Sequence, residues 1–397
     1  MQIRDFNFMR KIKVLHIITR LCKGGAKEVV LKIVTDLDKE KYDVTLACGP
    51  EDFALEGAKI SNVKLVIITQ LVRRIYPIKD LIALARLYFF IKREKFDIVH
   101  THTSKAGILG RTAARLSGVP MIFHMTHGSI FHPVYFGKPA IFILSKVEKI
   151  AALYTDRIIV GSENEKQDFL SNGIGKAEQY VKIPSYFIRE EFYNVKVDAQ
   201  AKKKELNMPL DVFLLGNIGR LVPEKGHIFC LEAFRRVVDE IPNTMLLIVG
   251  EGKMREAIER KIAELNLQKN VILTGFRDDV AEIFFILDIS LHTSFWEGSP
   301  VAIAEAMYLG KAIIATKVSG IPERIEDGID GILVEPQNVD ELSKAIIRLL
   351  KDRELLGKLG KEAERYARLH FDSKSIVNKV NELYDSFLRM KAIRDVN

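Results

Sequence analysis

The chain has 397 residues, 48% of them hydrophobic, and a formal net charge of +8. That length favours two domains of roughly 150 residues or more, and Cys22, Cys48 and Cys230 lie too far apart for a CxxC or Cys/His ligand set, which argues against a disulfide framework and for a reducing compartment. No run approaches the roughly 18 uncharged apolar residues of a membrane span, and the opening MQIRDFNFMRKIKVLHII lacks an apolar signal core before a small-residue cleavage site, so a cytoplasmic protein is expected.

Charge is uneven along the chain. Residues 1–190 hold 30 Lys+Arg against 19 Asp+Glu, whereas residues 191–397 hold 30 against 33. The first half is therefore the one expected to approach something anionic, an ordinary basic surface being the plain alternative.

In chain order, KIKVLHII, YDVTLAC, VKLVII, FDIVHTH, VPMIFHMTH and RIIVGS read as short buried strands. Between them AKEVVLKIVTDL, DLIALARLYFFIKREK and KAGILGRTAARLSG carry helical periodicity. Residues 184–210 are polar and irregular and read as a linker. Alternation then resumes with VFLLGNIG, a helix from His227, TMLLIVG, a helix from Met254, VILTG, DISLHTS, a helix over 300–309, and AIIATK. Such βαβ alternation predicts an α/β protein with two Rossmann-like parallel sheets facing across a cleft, ligands binding in the loops after the strands. The expected boundaries are 1–190, 191–375, and a C-terminal helix over 376–397 that crosses back to the first domain. The apolar stripes in 81–91 and 139–153 read as core helices, with an interfacial role as the alternative because their flanks are basic.

Four glycine-containing loops are candidates for anion binding. TRLCKGGAKE enters a helix through Gly24 and Gly25, which allows backbone N–H groups to approach a phosphate. GRLVPEKG places Arg220 and Lys225 five apart after a strand, a geometry suited to a diphosphate. VGEGKMREA begins like a dinucleotide fingerprint, but Arg255 replaces its third glycine. Finally, in FWEGSPVAIAEAMYLG, Gly298, Ser299 and Pro300 form a turn into a helix whose free N–H groups favour an anion.

Glu297 stands just before that helix, and Glu305 lies about 7 Å further along it at 1.5 Å per residue. Two carboxylates flanking a phosphate-binding helix start suit a ligand with hydroxyls on both sides of its phosphates, as in a nucleotide sugar. The plain alternative for Glu305 is a core partner such as Lys317.

The Glu297-x7-Glu305 motif, GRLVPEKG, VGEGKMRE, TGFRDDV and the Gly-Gly loop occur in the order found in GT-B glycosyltransferases of family four, the group 1 type. The whole chain resembles these retaining enzymes, and HTHTSKAGILGR and HMTHGSIFHP most resemble bacterial transferases of capsular, exopolysaccharide and O-antigen synthesis. The resemblance implies a GT-B fold and transfer of a hexose or N-acetylhexosamine from a nucleotide sugar, with UDP expected as the commonest donor nucleotide of the family. Gly219, Arg220 and Lys225 would meet and neutralise the diphosphate. Glu297, with backbone N–H groups of Gly298, Ser299 and Val301 on either side of Pro300, would hold hexose hydroxyls, and Glu305 would take the ribose. The backbone near Phe276 and Arg277 would meet the base, and Gly24 and Gly25 would close over the phosphate. His127 matches the family's active-site histidine beside the transferring sugar. Acceptor contacts are assigned to His102, Lys105 and Ser129, although many polymer-building relatives carry an aromatic at the last position. The acceptor is expected to be a saccharide, free or linked to polyprenyl diphosphate, met at the anionic inner membrane surface by the basic first domain.

No cofactor or metal is expected. His100, His102, His124, His127 and His132 hint at zinc, but no Asp, Glu or Cys completes a ligand set, and Asp278-Asp279 falls in the base-facing loop. A nucleotide-sugar 2-epimerase of the same fold would need further acid/base carboxylates, which the E-x7-E arrangement does not provide. A basic nucleic-acid-binding protein would need aromatic platforms within the basic patch, which are not visible, so no nucleic-acid partner is expected.

Overall fold

The computed structural model describes residues 10–21, 25–50, 63–129, 131, 137–183, 188–297, 300–371 and 374–396, with side chains to residue 390. Gly24, His132, Gly298 and Ser299 lie outside the described residues, as does Cys22. The chain divides into two compact units, Met1–Ser185 with Lys374–Asn397, and Tyr186–Ser373.

In the first unit β1 (Ile12–Ile18), β2 (Tyr42–Cys48), β3 (Lys64–Ile67), β4 (Ile98–His102), β5 (Met121–Met125), β6 (Arg157–Val160) and β7 (Tyr180–Lys182) form a parallel sheet ordered β3-β2-β1-β4-β5-β6-β7. Its helices are α1 (Gly25–Asp36), α2 (Pro77–Glu94), α3 (Ser104–Leu116), α4 (Lys138–Ala152) and α5 (Glu163–Ser171). Central strands β1, β4 and β5 are buried almost throughout, and their apolar residues are interrupted by buried polar ones, His16, His100, Thr101, His102 and His124. β7 has three residues with one buried, too short to leave a periodic signal.

α3 approaches the sheet closely at Gly107, where any Cβ would fall 2.5 Å from the ring of His124. The same helix buries Arg111 completely, and its guanidinium meets Glu148 of α4 at 2.5 Å and the Gly107 carbonyl at 2.8 Å. Two desolvated charges are tolerated here because each is the other's counter-ion.

α2 and α4 both pack on α3, and only their inner faces are core. Ala83, Leu87 and Ile91 of α2 are buried, as are Ala151 and Ala152 of α4. The opposite faces are exposed and apolar: Leu81 and Phe89 are each 67% exposed, Phe142 63% and Leu153 82%. The reading of these stripes as core helices therefore holds for one face of each helix, and the other face is exposed. An apolar stripe wider than one packing face shows up in sequence as a core helix, whatever its second face meets.

In the second unit β8 (Phe213–Ile218), β9 (Thr244–Val249), β10 (Val271–Gly275), β11 (Ile289–His292), β12 (Ala312–Thr316) and β13 (Ile332–Val334) form a parallel sheet ordered β10-β9-β8-β11-β12-β13. Around it run α6 (Ala199–Glu205), α7 (His227–Glu240), α8 (Arg255–Glu264), α9 (Val280–Ile286), α10 (Val301–Tyr308), α11 (Val339–Lys351) and α12 (Arg353–His370). Asn338 and Asp352 cap α11 and α12 by accepting from backbone N–H groups one turn in. The last helix, α13 (Ser375–Val396), packs on α1 and so belongs to the first unit. No helix among the described residues is long and apolar enough to cross a membrane.

Glu148→Ala should strand a fully buried guanidinium and cost roughly 3–5 kcal/mol in urea unfolding followed by circular dichroism. Arg111→Met with Glu148→Leu should recover most of that loss, because no uncompensated charge remains.

Candidate active site

Both sheets reverse their strand order once, beside β1 and β4 in the first unit and beside β8 and β11 in the second. Loops leaving adjacent strands at such a point diverge and leave room for a ligand at the carboxyl ends.

In the second unit the loop 219–226 after β8 is tied to the loop 293–297 after β11. Asn217 donates to the Thr293 hydroxyl at 2.9 Å, that hydroxyl donates to the Lys225 carbonyl at 3.0 Å, and the Phe295 amide donates to the Glu224 carbonyl at 2.8 Å. This stitching brings Lys225 and Glu297 into a direct ion pair. The Ser294 hydroxyl donates to the same Glu297 oxygen at 3.3 Å. Arg220 is half-exposed, and its nearest carboxylate, Glu224, lies at 3.7 Å, beyond hydrogen-bonding length. The cluster therefore carries two cations, Arg220 and Lys225, and two largely buried carboxylates, Glu224 and Glu297, at the switch point.

The VGEG glycines have a packing explanation. Gly250 has φ 140°, and a Cβ there would sit 1.9 Å from the Gly219 carbonyl oxygen, so the β9 loop needs glycine to pass the β8 loop. The half-fingerprint supports the loop that carries Arg220.

Glu305 on α10 is 3% exposed, and Arg189 Nε meets its carboxylate at 2.6 Å. Arg189 also pairs with Glu191 at 2.6 Å and lies over the Phe192 ring. The core partner is thus Arg189; Lys317 instead faces Glu335 at 3.9 Å. Sequence spacing could not find this contact, because 116 residues separate the partners and the boundary at 190 placed Arg189 in the other domain. The ion pair fixes the Glu305 carboxylate in place on α10.

Phe276 follows β10 and is half-exposed. Arg277 is bound by Asp279 at 2.7 Å and by Glu205, and Lys202 reaches Asp279 at 2.8 Å. These hydrogen bonds hold the Asp279 carboxyl well below the usual range. The Asp278-Asp279 pair is therefore engaged through Asp279 in bracing the loop against α6. Pro300 and Val301 open α10, and Gly25 opens α1.

In the first unit His127 occupies a left-handed turn, φ 58°, followed by Gly128. A non-glycine residue in that region costs on the order of 1 kcal/mol. The buried carboxylate of Glu165 holds the turn, accepting from the Thr126 hydroxyl at 2.6 Å and from the Gly128 and Gly161 amides at 2.7 and 2.8 Å. Burial raises its pKa, and those three donors oppose the shift. Glu165 left no sequence signal beyond its place after the Ser162 cap.

His127 Nε2 lies 3.0 Å from His102 Nδ1, and His102 Nε2 lies 2.9 Å from His16 Nδ1. His102 and Ser129 are buried, at 0% and 2% exposure, and cannot present a surface to a large acceptor. The ammonium of Lys105 is taken up by Asp80 at 2.5 Å and the Val72 carbonyl at 2.8 Å, which fastens the 72–74 loop to α3. His16, His100 and His102 place ring nitrogens within 4.8 Å of one another, His16 being the member that sequence spacing did not bring in. Burial lowers the pKa of His16 to about 3 and of His127 to about 4, and depresses His100, His102 and His124 strongly, so these imidazoles are neutral at pH 7.

Arg189→Leu should cost about 2 kcal/mol by leaving Glu305 buried without its cation, less than a fully buried pair because Arg189 is partly solvated. Glu305→Gln in that background should restore part of the loss in a double-mutant cycle read by thermal unfolding.

Two family models match the chain: Glycosyltransferase Family 4 over residues 23–183 and Glycosyl transferases group 1 over residues 198–366. The chain is 31% identical over 377 residues to the Escherichia coli UDP-Gal:alpha-D-GlcNAc-diphosphoundecaprenol alpha-1,3-galactosyltransferase, covering 94% of this chain and 97% of that one. It is 25% identical to the Staphylococcus aureus capsular polysaccharide biosynthesis glycosyltransferase CapM, over 80% of this chain and 84% of the relative. The crystal structure of Anabaena Alr3699/HepE in complex with UDP and glucose shares the fold, with a TM-score of 0.82 and 21% identity over 94% of this chain and 100% of that one. With matching models on both units and a relative aligned over almost its whole length, the chain belongs to the group 1, family four glycosyltransferases and is a hexosyltransferase of GT-B fold.

Proposed function

We propose that the chain moves a hexosyl group from a UDP-sugar, with retained anomeric configuration, to a sugar carried on polyprenyl diphosphate in bacterial surface-polysaccharide synthesis. The observation that carries this reading is the Lys225–Glu297 pair beside Arg220 at the switch point of the second sheet. Relatives support the substrates: the Escherichia coli enzyme is named for UDP-Gal and a diphosphoundecaprenol-linked acceptor.

The hard step breaks the anomeric C–O bond while negative charge grows on the departing diphosphate. Arg220 and Lys225 neutralise that charge, together with the start of α10. Lys225 has three donors, so it can hold Glu297 and a phosphate oxygen at once. Glu297, oriented by Lys225 and Ser294, accepts from hexose hydroxyls. Glu305, oriented by Arg189, accepts from the ribose hydroxyls. Phe276 and the backbone beside it meet the base. In the first unit His127 is assigned to the transferring sugar. The acceptor hydroxyl attacks from the face the diphosphate leaves, and a leaving phosphate oxygen takes its proton. No resident metal or cofactor is required by this scheme.

Glu305→Ala should weaken UDP binding about tenfold in calorimetry, in line with loss of charge-assisted hydrogen bonds of about 1.5 kcal/mol. Glu297→Ala should bind UDP within about threefold of wild type and lose at least about a hundredfold in transfer, as for other transition-state contacts. Equal UDP binding by both variants and wild type would remove the ribose assignment.

The exposed apolar faces of α2 and α4 support a peripheral membrane site. Ile78, Leu81, Phe89, Phe142 and Ile143 are exposed, with Lys79, Arg86, Lys92, Lys138 and Lys146 exposed on the same helices. Apolar side chains edged by cations suit the boundary between acyl chains and anionic headgroups. Sedimentation with phosphatidylglycerol vesicles should pull down the protein, and Leu81→Glu with Phe142→Glu should abolish this while UDP binding stays unchanged. Equal sedimentation of the double variant would exclude this face as the docking surface.

A further inference from the structure

The histidines behind His127 form a continuous hydrogen-bonded chain. His100 Nδ1 lies 2.7 Å from the Tyr384 hydroxyl, which lies 3.4 Å from His16 Nε2. His16 Nδ1 then meets His102 Nε2 at 2.9 Å, and His102 Nδ1 meets His127 Nε2 at 3.0 Å. β1 supplies His16, β4 supplies His100 and His102, and α13 supplies Tyr384. The inner end is closed: His100 Nε2 is buried and has no hydrogen-bond partner among the described residues.

A neutral imidazole carries one ring proton, so each link needs one donor and one acceptor, and fixing one link fixes all unless the Tyr384 oxygen accepts from both of its histidines, which would orphan its own buried O–H. There are two directions. If protons occupy every Nε2, the last N–H belongs to His100 and is buried without an acceptor. If they occupy every Nδ1, His100 donates to Tyr384, Tyr384 to His16, His16 to His102 and His102 to His127, and His100 is left only with an unused lone pair. An orphaned buried N–H is the costlier of the two, at about 1–3 kcal/mol.

We propose that this one-way chain makes His127 a hydrogen-bond donor through Nδ1, with Tyr384 and His16 as the positioning residues that hold its tautomer. This rests on the assignment of His127 to the transferring sugar, where Nδ1–H would donate to a sugar oxygen. A histidine free to exchange tautomers would spend part of its time as an acceptor there and lose that interaction. The cluster is better described as a relay than as a metal site. His16 and His102 are near parallel, 14° apart, with their facing nitrogens at hydrogen-bond distance, and His100 stacks on His102 at 22°. Lone pairs of stacked rings do not converge on one ion.

The test is nitrogen-15 NMR of the full chain labelled at its histidine rings, at pH 7.5 and without donor or acceptor, with His127 assigned by the signals lost in His127→Gln. Wild type should show His127 protonated on Nδ1 and bare on Nε2. Tyr384→Phe keeps the buried ring but removes the hydroxyl; it should give mixed tautomers at His127 and lower turnover at saturating donor about tenfold, the cost of a misplaced imidazole proton, with KM for the donor little changed. His16→Asn, whose amide N–H can stand where Nδ1–H stood, should retain turnover within about threefold, whereas His16→Leu should not. A proton on Nε2 of His127 in wild type would overturn the proposal, as would an unchanged tautomer and turnover in Tyr384→Phe. One tightly held zinc per purified chain, lost in His16→Leu, would replace the relay with a metal site. Because the tautomer is read without substrate, the correct NMR result with no transfer from any nucleotide sugar would instead count against the transferase reading.

Discussion

The reversal of strand order in each sheet is the constraint from which the rest follows. Right-handed crossovers require helices to leave β1 and β4, or β8 and β11, towards opposite faces, so only at that point do two neighbouring strand ends stand open. Chemistry-bearing residues collect there in both units. In the second, the β8 and β11 loops carry Arg220, Lys225 and Glu297. In the first, β1 and β4 carry His16, His100 and His102, with His16 level with His100 across the pair. The two units thus use one geometry for different chemistry: fixed charges in one, neutral imidazoles in the other.

Burial is the second constraint, and polar groups meet it in two ways. Glu305, Glu165, Glu148 and Arg111 are all under 6% exposed, and each has charged or hydrogen-bonding partners. The histidines respond to burial by staying neutral, and neutral rings can be chained because each both donates and accepts. A carboxylate in the same place would need several donors, as Glu165 has.

Local pattern reached most of the strands, because a buried parallel strand is rich in β-branched and apolar residues, and it singled out the candidate loops, where glycines and cations lie close in sequence. It did not reach contacts between distant segments. Arg189 and Glu305 are 116 residues apart, and His100 and Tyr384 are 284 apart. Nothing in either segment alone marks them as partners. The VGEG stretch is ambiguous for another reason: glycine serves both phosphate approach and backbone packing, and here Gly250 is needed where its loop passes Gly219.

α2 and α4 show where periodicity itself is ambiguous. A helix in a Rossmann layer needs one apolar stripe, supplied in α2 by Ala83, Leu87 and Ile91 at four-residue spacing. Leu81 and Phe89 lie roughly half a turn away from that stripe and contribute nothing to the core. Leaving such side chains in water wastes on the order of 1.5–3 kcal/mol of available burial each. The Lys and Arg residues around them are long enough to keep their charges solvated while those apolar faces are covered. That combination is what the proposed membrane contact rests on. Part of the basic excess of the first half of the chain, visible in composition alone, thus lies beside exposed apolar side chains on the same two helices.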